Sequence, residues 1–200
     1  VNNGSTDGTR NNILNSSLNI NNKIKIYEIK ENIGYGHGIM SGVKIASGEY
    51  IGWCHADLQT EPIDIYNAYV QNYENLKINN VLIKGLRTNR NLFDVFFTLC
   101  MSIIASIIFQ RIVYDINAQP KLFSKKFRVF LKDYPTDFSL DLYLLIIAKI
   151  KDYKIINHKV IFKKRLYDEA KGGGNIIGKL KLIKRTFIYM FQLKKKIWKL

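Results

Sequence analysis

The chain is 200 residues long and 47% hydrophobic, enough to bury one sizeable core, and its two cysteines exclude a disulfide scaffold. Cys54 and Cys100 both sit in apolar runs and read as buried thiols, which fits a cytosolic location. Lysine and arginine number 31 against 16 aspartates and glutamates, giving a formal charge of +15; the basic tail shows no nucleic-acid recognition module, so anionic small molecules and membrane surfaces remain as partners.

In chain order, residues 1–9 (VNNGSTDGT) read as the end of a strand, a glycine turn and the start of a helix over 7–17, with backbone N–H groups suited to an anion or a base edge. A strand near 23–28 follows, then a helix over 36–47 with Ile39, Val43 and Ala46 on one face. Strand 49–54, helix 62–75, strand 80–85, helix 92–110, strand near 118–124, helix 139–150 and strand 153–162 continue the alternation that a doubly wound α/β sheet requires. No internal repeat occurs, and the single low-complexity patch is Gly172-Gly173-Gly174.

Strand 49–54 runs directly into His55, Asp57 and Gln59, at the sheet rim where α/β folds bind ligands. Oxygen donors at alternating positions suit Mg2+ or Mn2+ bridging a diphosphate; a solvated turn capping the helix after Pro62 is the plain alternative. Arg87 follows the next strand at a similar rim position, with a surface ion pair as its other reading. Asp141 opens an apolar helix, where the helix dipole explains it without catalysis. Arg165 and Lys171 flank the triple glycine, so flexible backbone beside fixed cations could close over a phosphate, or be a linker with solvated charges.

Two apolar segments bear on location. Residues 95–109 form a fifteen-residue apolar run, short of the roughly 20 needed to span a bilayer, and read as an interfacial or buried helix. From Lys179 to Leu200, lysines and arginines alternate with Leu180, Ile183, Phe187, Met190, Phe191, Leu193, Ile197 and Trp198, a basic amphipathic helix suited to an anionic membrane surface or to packing on its own domain.

The ordered segments VNNGSTDGT, ENIGYGHGIMSGVKIASGEYI, HADLQTEP, KGLR, DINAQPKLF, FSLDLYLLIIAKIKDYKI and IFKKRLYDEAKGGG, from residue 1 to about 174, resemble the family 2 glycosyltransferases. The similarity is to the branch that moves a sugar from a nucleotide to a polyprenyl phosphate, typified by dolichyl-phosphate mannosyltransferase. It implies a GT-A fold, an α/β architecture with a mixed, mostly parallel sheet flanked by helices, and an inverting transfer from a nucleotide-diphosphate sugar to a polyprenyl-phosphate or glycan acceptor, on the inner face of the membrane. By the same resemblance, Asn3, Gly4, Ser5, Asp7, Asn32 and Gly36 line the donor site, and His55, Asp57 and Gln59 hold the metal. Arg87 neutralises the diphosphate, Arg165 and Lys171 engage phosphate, and Asp141 lies near the acceptor, serving as general base if that acceptor is a hydroxyl. His55 departs from the family pattern, which usually has an acidic residue there, and Asn117-Ala118-Gln119-Pro120-Lys121 replaces the family's Thr-Gly-x-Phe-Arg segment after Asp115. The resemblance also implies residues 1–165 as a catalytic domain without its first βα unit, with 166–200 as a Gly-rich loop and basic tail. His37 reads as a helix-start or nucleotide contact and His158 as a strand-surface residue; the oligomeric state is undetermined.

Overall fold

The structure, a computed structural model, describes residues 1–16, 24–78, 80–164 and 176–197, with side chains of the last segment described from Lys184 onward. Arg165, Lys171 and the triple glycine lie outside the described residues.

A four-stranded sheet anchors the molecule, built of β3 (Tyr50–Trp53), β4 (Val81–Thr88), β5 (Lys121–Ser124) and β6 (Lys154–Ile161) in the spatial order β3-β5-β4-β6. β5 runs antiparallel to β3 and to β4, while β4 and β6 are parallel, so three strands share a direction and one opposes them. The expected mixed, mostly parallel α/β sheet is present. Hydrophobic alternation reads the same along a strand in either direction, so the reversal of β5 has no mark in the pattern. A second, two-stranded parallel sheet joins β1 (Asn2–Asn3) to β2 (Glu28–Ile29).

The helices are α1 (Thr9–Leu14), α2 (Tyr35–Ile45), α3 (Ile63–Gln71), α4 (Tyr73–Ile78), α5 (Leu92–Phe109), α6 (Leu140–Ile150) and α7 (Ile176–Ile197). The single helix expected over 62–75 breaks at Asn72, whose amide donates to the Ala68 carbonyl at 2.9 Å. Asparagine competes for backbone groups in this way and interrupts helices. A 3-10 helix at Lys125–Phe130, started by Ser124 accepting from the Lys126 N–H at 3.2 Å, has no clear sequence signal.

The core lies between the sheet and α6. Every residue from Leu140 to Ala148 is buried, as befits a helix apolar nearly all round. Leu82, Phe123 and Phe127 meet it from β4, β5 and the 3-10 helix, and α7 adds Met190 and Leu193 to the same cluster. The tail helix thus packs on the main core.

α5 differs from α6. It is 18 residues long with a mean hydropathy of 2.3, long and apolar enough to cross a membrane by length and composition, which exceeds the fifteen-residue run expected. Ser102 and Ala105 are its buried positions, and Met101, Ile104 and Ile108 pack against the core. Its outer face exposes Leu92 (87%), Phe96, Leu99, Ile103 and Ile107 (70%) at successive helical turns. Two smaller expectations change: Cys54 and Cys100 are half-buried free thiols, and His158 is buried on β6.

Candidate functional site

Register brings the chemistry to one end of the sheet. Trp53 and Lys84 both pair with Lys121, and Arg87 pairs with Val160, so the carboxyl ends of β3, β4 and β6 and the start of β5 form a common rim. Ligands of open α/β sheets bind there.

Asp57 stands four residues beyond β3, where its Oδ1 accepts from the Gln59 N–H at 3.2 Å around Leu58, a residue held in the left-handed region at φ 58°. Gln59 ties this turn to the end of β6: its carbonyl accepts from the Lys163 N–H at 2.8 Å, and its Nε2 donates to the Lys163 carbonyl at 3.3 Å. The carboxylate is therefore carried on a turn fixed at both ends.

His55, on the same turn, faces inward. Its Nε2 lies 2.9 Å from the Tyr35 hydroxyl at the start of α2, and Tyr35 in turn donates to Asp141 Oδ2 at 3.0 Å. Gln119 Nε2 reaches both the Tyr35 hydroxyl (3.2 Å) and Asp141 Oδ1 (3.0 Å), and Lys121 Nζ lies 3.0 Å from Asp141 Oδ1. Burial lowers the His55 pKa below its ordinary value against the opposing pull of Asp141 and Asp57, and burial together with Asp141 raises the Tyr35 hydroxyl. Burial also lowers Lys121, which Asp141 partly offsets.

Asp141 differs from its expected setting. It is 1% exposed and bound to Lys121, Gln119 and Tyr35, so it is neither a simple dipole partner nor a base facing an acceptor. Arg87 also differs. Its Nε donates to Asp115 Oδ1 at 2.8 Å, a second guanidinium nitrogen contacts the same oxygen, and its backbone N–H donates to Oδ2 at 2.8 Å. This is a buried ion pair, with side chains 13% and 2% exposed, where the surface alternative required exposure. Arg90 approaches the same carboxylate at 3.7 Å, and Lys84 donates to the Asp115 carbonyl at 3.3 Å. Burial disfavours the Asp115 carboxylate, but Arg87 outweighs it and holds its pKa below the usual range; burial lowers Lys84 to about 7.

Lys84, Arg87, Arg90 and Lys121 thus face two carboxylates, Asp115 and Asp141, leaving the rim with an excess of positive charge. The sequence reading missed Tyr35, Lys84, Arg90, Gln119 and Lys121. A lysine inside an apolar strand, as in Val81-Leu-Ile-Lys84 and Lys121-Leu-Phe, is the signal that could have found two of them, because a buried ammonium needs dedicated partners.

The opening turn comes to the same rim through α2. Asn3 Nδ2 donates to Asn32 Oδ1 (3.2 Å) and to the Gly34 carbonyl (3.1 Å), next to Tyr35. Gly4 sits at φ 69°, and a Cβ there would lie 2.7 Å from the Asn32 backbone nitrogen, so the glycine is required for both reasons. Asn3, Gly4 and Asn32 are thus brought together. Ser5 donates its N–H to Asn2 Oδ1 at 3.3 Å, and exposed Asp7 accepts from the Thr9 N–H at 3.0 Å; hydrogen bonding from the Thr9 side chain first, and from this N–H second, lowers its pKa. Gly36 differs: it is buried against the backbone of Pro135 to Asp137, which assigns it to packing. His37 packs at the start of α2, its N–H donating to the Thr136 carbonyl at 3.1 Å.

Among the described residues, no group of three His, Cys, Asp or Glu side chains could hold a metal. Asp57 is the carboxylate of the expected trio, while His55 Nε2 is engaged by Tyr35 and the Gln59 amide by Lys163. Such a donor set does not form a closed cage. It fits a hard cation held by one carboxylate and mostly by substrate phosphate oxygens, the usual manner of Mg2+ binding.

Residues 1–92 match the family model described as Glycosyl transferase family 2. No curated protein matches the chain. Among solved structures, glucosyl-3-phosphoglycerate synthase from Mycobacterium tuberculosis with phosphoglyceric acid superposes with a TM-score of 0.66 at 13% identity, over 96% of this chain and 66% of that one. The same enzyme with Mn2+, uridine diphosphate and glucosyl-3-phosphoglycerate gives 0.65 at 13% identity over the same shares. Its complex with Mn2+, UDP-glucose and phosphoglyceric acid gives 0.59 at 11% identity, over 86% of this chain and 57% of that one. The fold is that of these GT-A enzymes, and the chain spans at most about two thirds of their length.

Proposed function

We propose, from the family 2 match over residues 1–92, that this chain is an inverting glycosyltransferase taking its sugar from a nucleotide diphosphate. The observation that carries the reading is the convergence of Asp57, the Asn3–Gly4–Asn32 turn and a positive rim around Arg87 at one sheet edge. Asp57 and Arg87 act in opposite senses on His55, the first raising and the second lowering its pKa, while burial, the largest cause, lowers it. In the solved relatives the donor is UDP-glucose and the ion Mn2+; here Mg2+ or Mn2+ beside Asp57 would supply Lewis-acid charge to the departing diphosphate. The chain's own residues bind and orient: Asn3 and Asn32 border the base side, and the cations around Arg87 stabilise negative charge as it develops.

The acceptor is read as an anionic, membrane-held phosphate such as a polyprenyl phosphate. Two features support this over a glycan hydroxyl. Asp141, the candidate base, is buried in an ion pair, and a phosphate nucleophile needs no base. The exposed apolar stripe of α5, with α7 packed beside it and bearing Lys184, Arg185, Lys195 and Lys196, suits an anionic bilayer surface, where apolar side chains insert and lysines reach the headgroups. The enzyme would then sit peripherally on the cytoplasmic face of the membrane.

A screen of UDP- and GDP-sugars against polyprenyl phosphate, phosphoglycerate and a glycan acceptor tests the reading. Transfer to the lipid phosphate, abolished by Asp57→Asn, is expected; no transfer from any nucleotide sugar refutes it, and transfer to phosphoglycerate alone refutes the lipid acceptor.

A further inference from the structure

Arg87 and Arg90 bring two like charges into one nearly closed space. Hydrogen bonding accounts for the first and not for the second. Asp115 holds Arg87 through Nε, a second guanidinium nitrogen and the backbone N–H. Arg90 donates Nη2 to the Thr98 hydroxyl at 2.8 Å and to the Asp94 carbonyl at 3.1 Å, but its Nη1 stands 3.7 Å from Asp115 Oδ1, beyond hydrogen-bond range. Its buried Nε has no hydrogen-bond partner among the described residues. Burial first, and the charge of Arg87 second, disfavour the ionised form of Arg90 against the pull of Asp115 and Asp94. A buried cation so placed needs stabilisation from another source.

Phe162, just beyond β6, supplies it. Its ring centre lies 5.1 Å from the guanidinium carbon of Arg87 and 5.8 Å from that of Arg90, both within cation–π reach. The negative face of the ring attracts each cation where water is largely excluded and lessens their mutual repulsion. Phe162 belongs to neither apolar cluster of the molecule, so core packing does not account for its place. Its main chain matters as well. The Phe162 N–H donates at 3.1 Å to the carbonyl of Thr88, the residue after Arg87, and the next N–H, of Lys163, donates at 2.8 Å to Gln59 on the Asp57 turn. Two consecutive residues thus tie the end of β4 to the Asp57 turn while the ring bears on both guanidiniums.

We infer that Phe162 is a positioning residue: its ring holds Arg87 and Arg90 as a fixed, largely desolvated cationic pair beside the Asp57 turn, set for the negative charge of a departing diphosphate. The inference rests on the transferase reading for its anion and on geometry alone for the ring and the two cations. Charge oriented in advance acts where charge develops, in the transition state, so the ring should govern turnover more than donor affinity. Leucine at this position would fill similar space without a π face, and tyrosine would keep the face.

The test compares Phe162→Leu and Phe162→Tyr with the wild type in the full chain, by two readouts. The first is 1H–15N correlation spectroscopy of the arginine Nε–H groups, with Arg90 assigned by its disappearance in Arg90→Lys. Wild type and Phe162→Tyr should show a slowly exchanging Arg90 signal displaced by the ring from the position of an exposed arginine, and Phe162→Leu should lose the displacement. The second is steady-state turnover of UDP- and GDP-sugars. Phe162→Leu should lower kcat about 10-fold, with KM for the donor changed by less than about threefold, and Phe162→Tyr should restore kcat. An undisplaced Arg90 signal in the wild type overturns the inference, as does kcat undiminished in Phe162→Leu or a loss that Phe162→Tyr fails to repair. The two readings fail differently: a wild type with the displaced signal that turns over no nucleotide sugar counts against the transferase and upholds the hold of the ring on the arginines, whereas turnover indifferent to the ring counts only against Phe162.

Discussion

Replacing Asp115 by Asn removes one charge and almost no volume, and it is the sharpest probe of how the rim is held. In the native chain this carboxylate, 2% exposed, lies against Arg87 and Arg90, whose side chains are 13% and 9% exposed, and its main-chain carbonyl accepts from buried Lys84. The amide can still accept from Arg87, so shape and part of the hydrogen bonding survive. What is lost is, among the described residues, the only carboxylate salt-bridged to the two guanidiniums, and stranding buried cations in this way costs about 3–5 kcal/mol. The retained hydrogen bonds favour the lower end, about 3 kcal/mol, which for a chain of this size lowers Tm by roughly 6–12 °C. Urea unfolding followed by circular dichroism measures it directly. A second substitution, Lys84→Met, removes one of the stranded cations and should return about 1 kcal/mol of the loss as a coupling energy. A single variant within about 0.5 kcal/mol of wild type, the range of ordinary surface changes, would refute the claim that Asp115 neutralises this cluster.

Lys84 itself sets a pH dependence. Its folded pKa of about 7 lies below the value of about 10.4 for an unfolded lysine, so between these limits the unfolded chain binds more protons and stability rises with pH. The slope from this group is at most about 1.4 kcal/mol per pH unit and should shrink in Lys84→Met, leaving the part that buried Lys121 contributes; denaturation midpoints that stay level from pH 7 to 10 in the wild type would contradict it. Gly4→Ala forces a side chain into the left-handed region at roughly 1–2 kcal/mol and displaces Asn32, so the dissociation constant for UDP should rise about tenfold by calorimetry. Phe96→Asp with Leu99→Asp alters exposed positions of α5, so Tm should hold within a few degrees while sedimentation with anionic vesicles is lost; equal vesicle binding would remove α5 from the membrane surface.

The limits of sequence reading fall along physical lines. Alternating segments located the four strands of the main sheet and most helices to within a few residues, because apolar period reports which face is buried, while the strand expected near 23–28 meets the short β2 (Glu28–Ile29) at Glu28 alone. The Asn72 break turned on one side-chain hydrogen bond, which periodicity does not register. Motif spacing placed Asp57 and the Asn3–Gly4 turn at a sheet edge, since strand ends and glycine turns are local features. Arg87 and Asp141 were expected in open, reactive settings, whereas both are held in ion pairs, Asp141 fully buried. Their partners, Asp115 and Lys121, lie 28 and 20 residues away in sequence, and no local pattern ties them together.

Composition and order of residues by themselves determined an α/β chain with a basic surface, a glycine turn at residue 4 and a carboxylate just beyond a strand, all set by interactions within a few neighbouring residues. Tertiary structure alone decided that β5 runs against its neighbours, that α5 turns an apolar face outward where equally apolar α6 is buried, and that Tyr35, His55, Gln119, Lys121 and Asp141 share protons. These depend on which distant segments pack together, and in a low-dielectric interior that packing fixes both the charge state and the direction of each hydrogen bond.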